Sequence, residues 1–246
     1  MTLSAVERGL VVACDVTSEP DLERVVAATG GLDFVRGFKV GVLLALSVGL
    51  RRACTIIRRH STQDIIYDHQ KFGTDIPDLC GGAVLGLLKD IGVTQVIAFP
   101  FAGIETLKAF AGGCQKLGLE PIVGGEMTHA GFLVREGGYI ANTGPTRIYQ
   151  DAAGLGIRRF VVPATKPKNM ARHRRAIEKL CAEPAFLFPG VGKGQGGDIV
   201  EAFRRVDPHA ALAIVGRGIY AQPDPAAGAA SLWNAVRAGQ MIAQAL

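Results

Sequence analysis

The feature that most constrains this chain is a repeated alternation. A short run rich in Val, Ile and Phe is followed by a Gly- or Pro-marked turn, then by a longer stretch with apolar residues at helical spacing. Strands are expected at Leu10–Val16, Phe34–Gly41, Asp64–Asp68, Gln95–Phe99, Glu120–Glu126, Arg159–Pro163, Ala185–Phe188 and Ala211–Val215. Helices are expected at Pro20–Thr29, Leu43–Arg59, Ile76–Ile91, Gly103–Leu117, Gly144–Leu155, Pro167–Ala182, Asp198–Val206 and Pro225–Leu246. Eight alternations point to an α/β chain closed into a (β/α)8 TIM barrel. An open doubly wound sheet would also alternate, but usually with fewer strands and with its phosphate loop after the first. The length of 246 residues suits one barrel, and no linker or composition break divides it, so residues 1–246 are read as a single barrel domain.

Composition narrows the class of partner. With 48% hydrophobic and 20% charged residues the chain can bury a large core. Its basic surplus is dispersed in clusters such as Arg51-Arg52, Arg58-Arg59, Arg172-His173-Arg174-Arg175 and Arg204-Arg205, without interleaved aromatics. These read as solvated helix faces rather than a nucleic-acid surface. The five cysteines are far apart and never spaced as C-x-x-C, so buried thiols are expected, not disulfides or zinc. No basic leader or apolar run of about 18 residues is present, so a cytoplasmic chain without a membrane partner is expected.

Polar residues gather where predicted strands end: Asp15, Lys39, Asp68 with Lys71 and Asp75, Glu126 with Thr128, Gln195 with Asp198, and Arg217. In a barrel these ends converge on one mouth. The loop PGVGKGQGGD, Pro189 to Asp198, offers backbone amides and a helix start, and IVGRGIY puts Arg217 beside it. Phosphate binding at the loops after strands seven and eight is the expectation. Lys39 and the Asp68, Lys71, Asp75 series make an array of alternating charge suited to chemistry on an anion. The Gly-rich segment Ala130–Thr143 is read as a mobile loop over this face, His129 as a loop residue without catalytic duty, and Trp233 and Met241 as packing against the barrel.

These stretches, VVACDV, GFKVG, the array ending in DIP, GGEMTHAG, VVPATKP, PGVGKGQGGD and IVGRGIY, resemble orotidine 5′-phosphate decarboxylases in order and spacing from Asp15 to Tyr220. The resemblance implies cofactor-free and metal-free conversion of orotidine 5′-phosphate to UMP. It implies that Asp15 and Lys39 bind ribose hydroxyls and support the array, that Lys71 is the proton donor flanked by Asp68, and that Asp75 reaches into the neighbouring site of a homodimer. Thr128 would stand near the pyrimidine ring, Gln195 and Arg217 would hold phosphate, and Ile76, Pro189, Gly192, Gly196 and Gly216 would complete the substrate-binding set.

The chain departs from the family pattern in three places. The family's Asp-x-Lys-x-x-Asp gains one residue on each side of Lys71, which a bulge would absorb. Leu79 stands where a Thr is common, and Lys193-Gly194 lengthens the phosphate loop. Two other readings stay open: a Mg²⁺-dependent sugar-phosphate decarboxylase or aldolase of the same barrel group, and a nucleotide-binding barrel without catalysis. Lys39 at the end of strand two, where the former carry a carboxylate, disfavours the metal.

Overall fold

Eight parallel strands follow one another around a ring in sequence order, and the last is hydrogen-bonded to the first. This is a computed structural model, and it describes residues 7–68, 72–191 and 196–244, the side chains of 240–244 excepted. The strands are β1 (Arg8–Ala13), β2 (Val35–Gly41), β3 (Asp64–Asp68), β4 (Gln95–Ala98), β5 (Glu120–Gly124), β6 (Arg159–Val161), β7 (Ala185–Phe188) and β8 (Ala210–Val215). The seam runs in register from Arg8 opposite Ala211 to Val12 opposite Val215.

The unbroken apolar runs are explained by burial on both faces. Side chains alternate across a strand, so Val11, Ile66, Ile97, Ile122, Val161, Leu187 and Leu212 fill the barrel while Val12, Phe38, Ile65, Val96, Val123 and Phe186 pack outward beneath helices. The helices are α1 (Glu19–Thr29), α2 (Val42–Leu44), α3 (Leu50–His60), α4 (Val84–Ile91), α5 (Ile104–Leu117), α6 (Gly144–Gly154), α7 (Pro167–Glu178), α8 (Ile199–Val206), α9 (Arg217–Tyr220) and α10 (Pro225–Gln244). Ser18 caps α1 by accepting from the Asp21 amide, and Asp198 caps α8 by accepting from that of Glu201. Asp198, expected at the mouth, is thereby committed to its helix.

Two helices read as single from sequence begin instead with wider π turns, Ala45–Gly49 between α2 and α3, and Leu79–Ala83 before α4. They lie just beyond β2 and β3, which carry Lys39 and Asp68, a placement common for π segments near sites. At the second, two backbones meet closely: a Cβ on Gly113 of α5 would lie 2.2 Å from the Gly81 carbonyl oxygen.

The segment Ala130–Thr143, expected to be a mobile cover, is largely exposed but tethered at two buried residues. Phe132 and Leu133 are buried, Leu133 bridges Ile140, and Val134–Glu136 forms a 3₁₀ turn. Trp233 of α10 stacks on Phe34 at 5.7 Å and meets Phe203 edge-on at 6.0 Å, as expected, while the Met241 side chain lies outside the described residues. The basic clusters lie largely on helix faces, in ion pairs such as Arg52–Glu19, Arg174–Glu178 and Arg205–Glu201. No helix among the described residues is long and apolar enough to cross a membrane.

Candidate active site

A cavity of about 470 Å³ opens where the strands end, and residues at or just beyond the ends of all eight strands contribute to its wall. Lys39, on the inward face of β2, points up between two carboxylates: its Nζ lies 2.9 Å from Asp68 Oδ2 and 3.4 Å from Asp15 Oδ1. Burial pulls the ammonium downward, but the charges and hydrogen bonds of Asp68 and Asp15 outweigh it and hold Lys39 above its ordinary value. Gly41 leaves room for this array, since a Cβ there would stand 3.2 Å from Asp15 Oδ1. Asp68 Oδ1 is buried with no hydrogen-bond partner among the described residues. Cys14, next to Asp15, is no nucleophile: burial and then the Asp15 charge push its thiol up to about 12.

The corner formed by β7 and β8 is built for a different task. Pro189, Gly190, Gly216 and the exposed Arg217 line it, with Tyr220 from α9 behind. Gly190 adopts φ +85°, and a Cβ there would approach Thr165 Cγ2 to 3.0 Å, so the turn requires glycine. Thr165 Oγ1 donates to the Thr128 carbonyl at 2.7 Å, tying the loops after β5 and β6 together at the rim. Ile97, Phe99 and Val161 form an apolar wall from β4 to β6. A ligand with an anionic end, a polar middle and a flat apolar end matches this order.

The opposite end of the barrel holds a cavity of about 500 Å³, but its arginines are already paired, Arg158 with Glu183 at 2.6 Å and Arg159 with Glu7 at 2.9 Å. Size does not distinguish the two ends; the charges do.

Of the residues expected from sequence, Asp15, Lys39, Asp68, Thr128, Pro189, Gly216 and Arg217 share this wall. Asp75 and Ile76 do not. Both are exposed on the loop after β3, where the Asp75 carboxylate accepts from the Ile76 amide. Gly196 is exposed beside the β7 loop, next to Gly197, whose amide donates to Gly190. Lys71, Gly192 and Gln195 lie outside the described residues.

Glu126, expected at the mouth, turns away from it. It accepts from Asn169 Nδ2 at 2.7 Å and His173 Nε2 at 2.6 Å on α7, and Lys166 Nζ lies 3.3 Å away. Lys166 also pairs with Glu136, so this cluster ties the segment after β5 at Glu136. His129, expected to be an idle loop residue, stands in the cavity wall. Phe99, Thr165 and Tyr220 also line it, and sequence reasoning passed over them.

Comparison with known proteins supplies the decision. The family model described as "Orotidine 5'-phosphate decarboxylase / HUMPS family" matches residues 8–232. The chain belongs to this family. Among relatives, the orotidine 5′-phosphate decarboxylase of Methanosarcina mazei is 28% identical over 233 residues, covering 93% of this chain and 95% of that protein. That of Methanocaldococcus jannaschii is 29% identical over 216 residues, covering 88% and 92%. The crystal structure of the M. jannaschii decarboxylase complexed with inhibitor BMP superposes with a TM-score of 0.78 at 25% identity, covering 96% of this chain and 98% of that one. The decarboxylase structure from Pyrococcus horikoshii shares the fold at a TM-score of 0.75. The family's barrel is thus the barrel described above.

Proposed function

We propose that this barrel decarboxylates orotidine 5′-phosphate to UMP in de novo pyrimidine synthesis, without metal or organic cofactor. The observation that carries the reading is the Asp15–Lys39–Asp68 array, set in one cavity with Arg217. Arg217 and the β7 loop, with Gln195, hold the phosphate. Asp15 and Lys39 hold the ribose hydroxyls, and Thr128 faces the pyrimidine. M. jannaschii decarboxylase binding BMP supports a nucleotide in this place.

Lys71 follows Asp68 by three residues, and its ammonium serves as the acid. The C6–carboxylate bond breaks, CO2 departs, and the electron pair left on C6 is stabilised by that ammonium, which then gives C6 its proton and recovers one from solvent. Charge held in place before the reaction begins usually contributes more to catalysis than any other single effect. Asp68 beside the departing carboxylate adds repulsion of about 4 kcal/mol for like charges ~4 Å apart at an effective dielectric near 20. Phosphate binding remote from C6 supplies energy used at the reacting centre.

Asp75 belongs to the partner's site in a cytoplasmic homodimer. Its exposure away from its own cavity supports this, as do exposed apolar residues on the segments after β2 and β3, Val42, Leu43 and Leu46 on the one and Ile76 and Leu79 on the other.

The test is loss of orotate absorbance on mixing protein with orotidine 5′-phosphate in EDTA. Rapid turnover is expected, and Lys71→Ala is expected to lower kcat by about 10³-fold or more. No turnover by the unaltered protein would remove the assignment; turnover only with Mg²⁺ and a sugar phosphate would replace it.

A further inference from the structure

We infer that Phe99 sets the specificity of the base end of this cavity, with Gly124 as the residue that makes room for it; the inference rests on the nucleotide reading above. Phe99 follows β4 and is 3% exposed, yet its side chain lines the cavity. Its ring lies directly over Gly124 at the end of β5: a Cβ there would stand 2.2 Å from Phe99 Cζ and 2.4 and 2.6 Å from the two Cε atoms. The phenyl ring therefore occupies the volume that any side chain at position 124 would need.

The ring has little freedom to withdraw. Phe101 packs against it at 5.7 Å, tilted by 48°, and Phe132 packs on Phe101 at 5.7 Å. Its backbone is held as well, since the Phe99 amide donates to the Phe72 carbonyl on the loop after β3 at 3.0 Å. Pushed from behind, the ring can move only into the cavity.

Ring order fixes what it meets. Arg217 follows β8, Asp15 follows β1, Lys39 belongs to β2, and β4 lies four strands from β8 around the barrel. A ligand with phosphate at Arg217 and its sugar at Asp15 and Lys39 presents its third part, the planar base, to Phe99. An aromatic wall rewards a flat ring by its large contact area and its quadrupole. It offers nothing to a sugar phosphate lacking a base.

The experiment compares uridine 5′-monophosphate with ribose 5-phosphate by calorimetric titration. Phe99→Ala is expected to weaken the nucleotide about tenfold and ribose 5-phosphate by less than about twofold. Gly124→Ala, which drives the ring into the cavity, is expected to produce the same one-sided loss, and to cost nothing further once Phe99 is already Ala. Phe99→Leu, which keeps most of the apolar volume, is expected to give a smaller loss of the same kind and serves if the Ala variant melts early. Equal weakening of both ligands, or additive losses in the double variant, would overturn the inference. So would an unaltered protein that binds the nucleotide no better than ribose 5-phosphate. Binding is read without turnover, so a failure to decarboxylate orotidine 5′-phosphate would remove the proposed reaction and leave the wall standing.

Discussion

His173 is buried between two partners, its Nε2 2.6 Å from a Glu126 carboxylate oxygen, which can only accept, and its Nδ1 3.2 Å from Thr146 Oγ1. Burial lowers its pKa below the ordinary 6.5, outweighing the raising effect of Glu126. Glu126 moves below 4.5, because His173, Asn169 and Lys166 outweigh the upward push of burial. For His173 the unfolded chain takes up a proton that the folded one refuses, so stability falls as pH drops through 6.5 toward the folded value. For Glu126 the contribution is present above 4.5 and is lost as pH falls through its own lowered value. Thermal melting is expected to hold near pH 8 and decline from about pH 6.5 downward. His173→Gln should flatten that decline while costing about 1–3 kcal/mol at pH 8, since buried Glu126 loses a charge-assisted donor; an unchanged pH profile would exclude His173 as its source. The sequence exposed Asp15, Lys39, Asp68 and Arg217 because a charge at a strand end has few other reasons to be there. It concealed Phe99, because an aromatic at the same position reads as core, and it misplaced Glu126, because spacing does not say whether a carboxylate faces the mouth or an adjacent helix.

Among the elements, α5 and the π turn Leu79–Ala83 show how contact reverses an intrinsic preference. Replacing a helical glycine by alanine ordinarily gains about 1 kcal/mol. At Gly113 the new methyl would meet the Gly81 carbonyl oxygen at 2.2 Å, whereas at neighbouring Gly112 nothing lies within 4 Å. Gly113→Ala is expected to lose about 1–3 kcal/mol in urea unfolding, and Gly112→Ala to gain about 0.5–1 kcal/mol. Equal effects would mean that the two backbones are not in contact. Strand positions were legible because residues buried on both faces leave continuous apolar runs. The π turns were not, because apolar spacing does not distinguish i→i+4 from i→i+5 hydrogen bonding. Four-residue α9 is too short to show periodicity, and the segment after β5 looked loose because its glycines are visible in sequence while its anchor, Glu136 on Lys166, is not.

At the scale of the molecule, Asp75 gives the dimer a direct test. Equal mixing of Lys71→Ala and Asp75→Asn variants, each nearly inactive alone, should create heterodimers with one intact site each, restoring about a quarter of the unaltered activity if subunits exchange freely. Silence after exchange, checked by mass spectrometry of tagged subunits, would place Asp75 in its own subunit's chemistry, and full activity of Asp75→Asn alone would place it in none. Closure of the ring was legible from eight alternations, whereas the pairing of first strand with last was implied only by that count. That seam reaches into the site: a Cβ on Gly216, after β8, would lie 3.6 Å from Asp15 Oδ2, after β1. On the ribosome, Asp15 emerges some two hundred residues before Gly216 and Arg217. On the proposed reading, a nascent chain carries the residues that would hold ribose through nearly the whole of synthesis without those that would hold phosphate, and a nucleotide can reward only the finished ring.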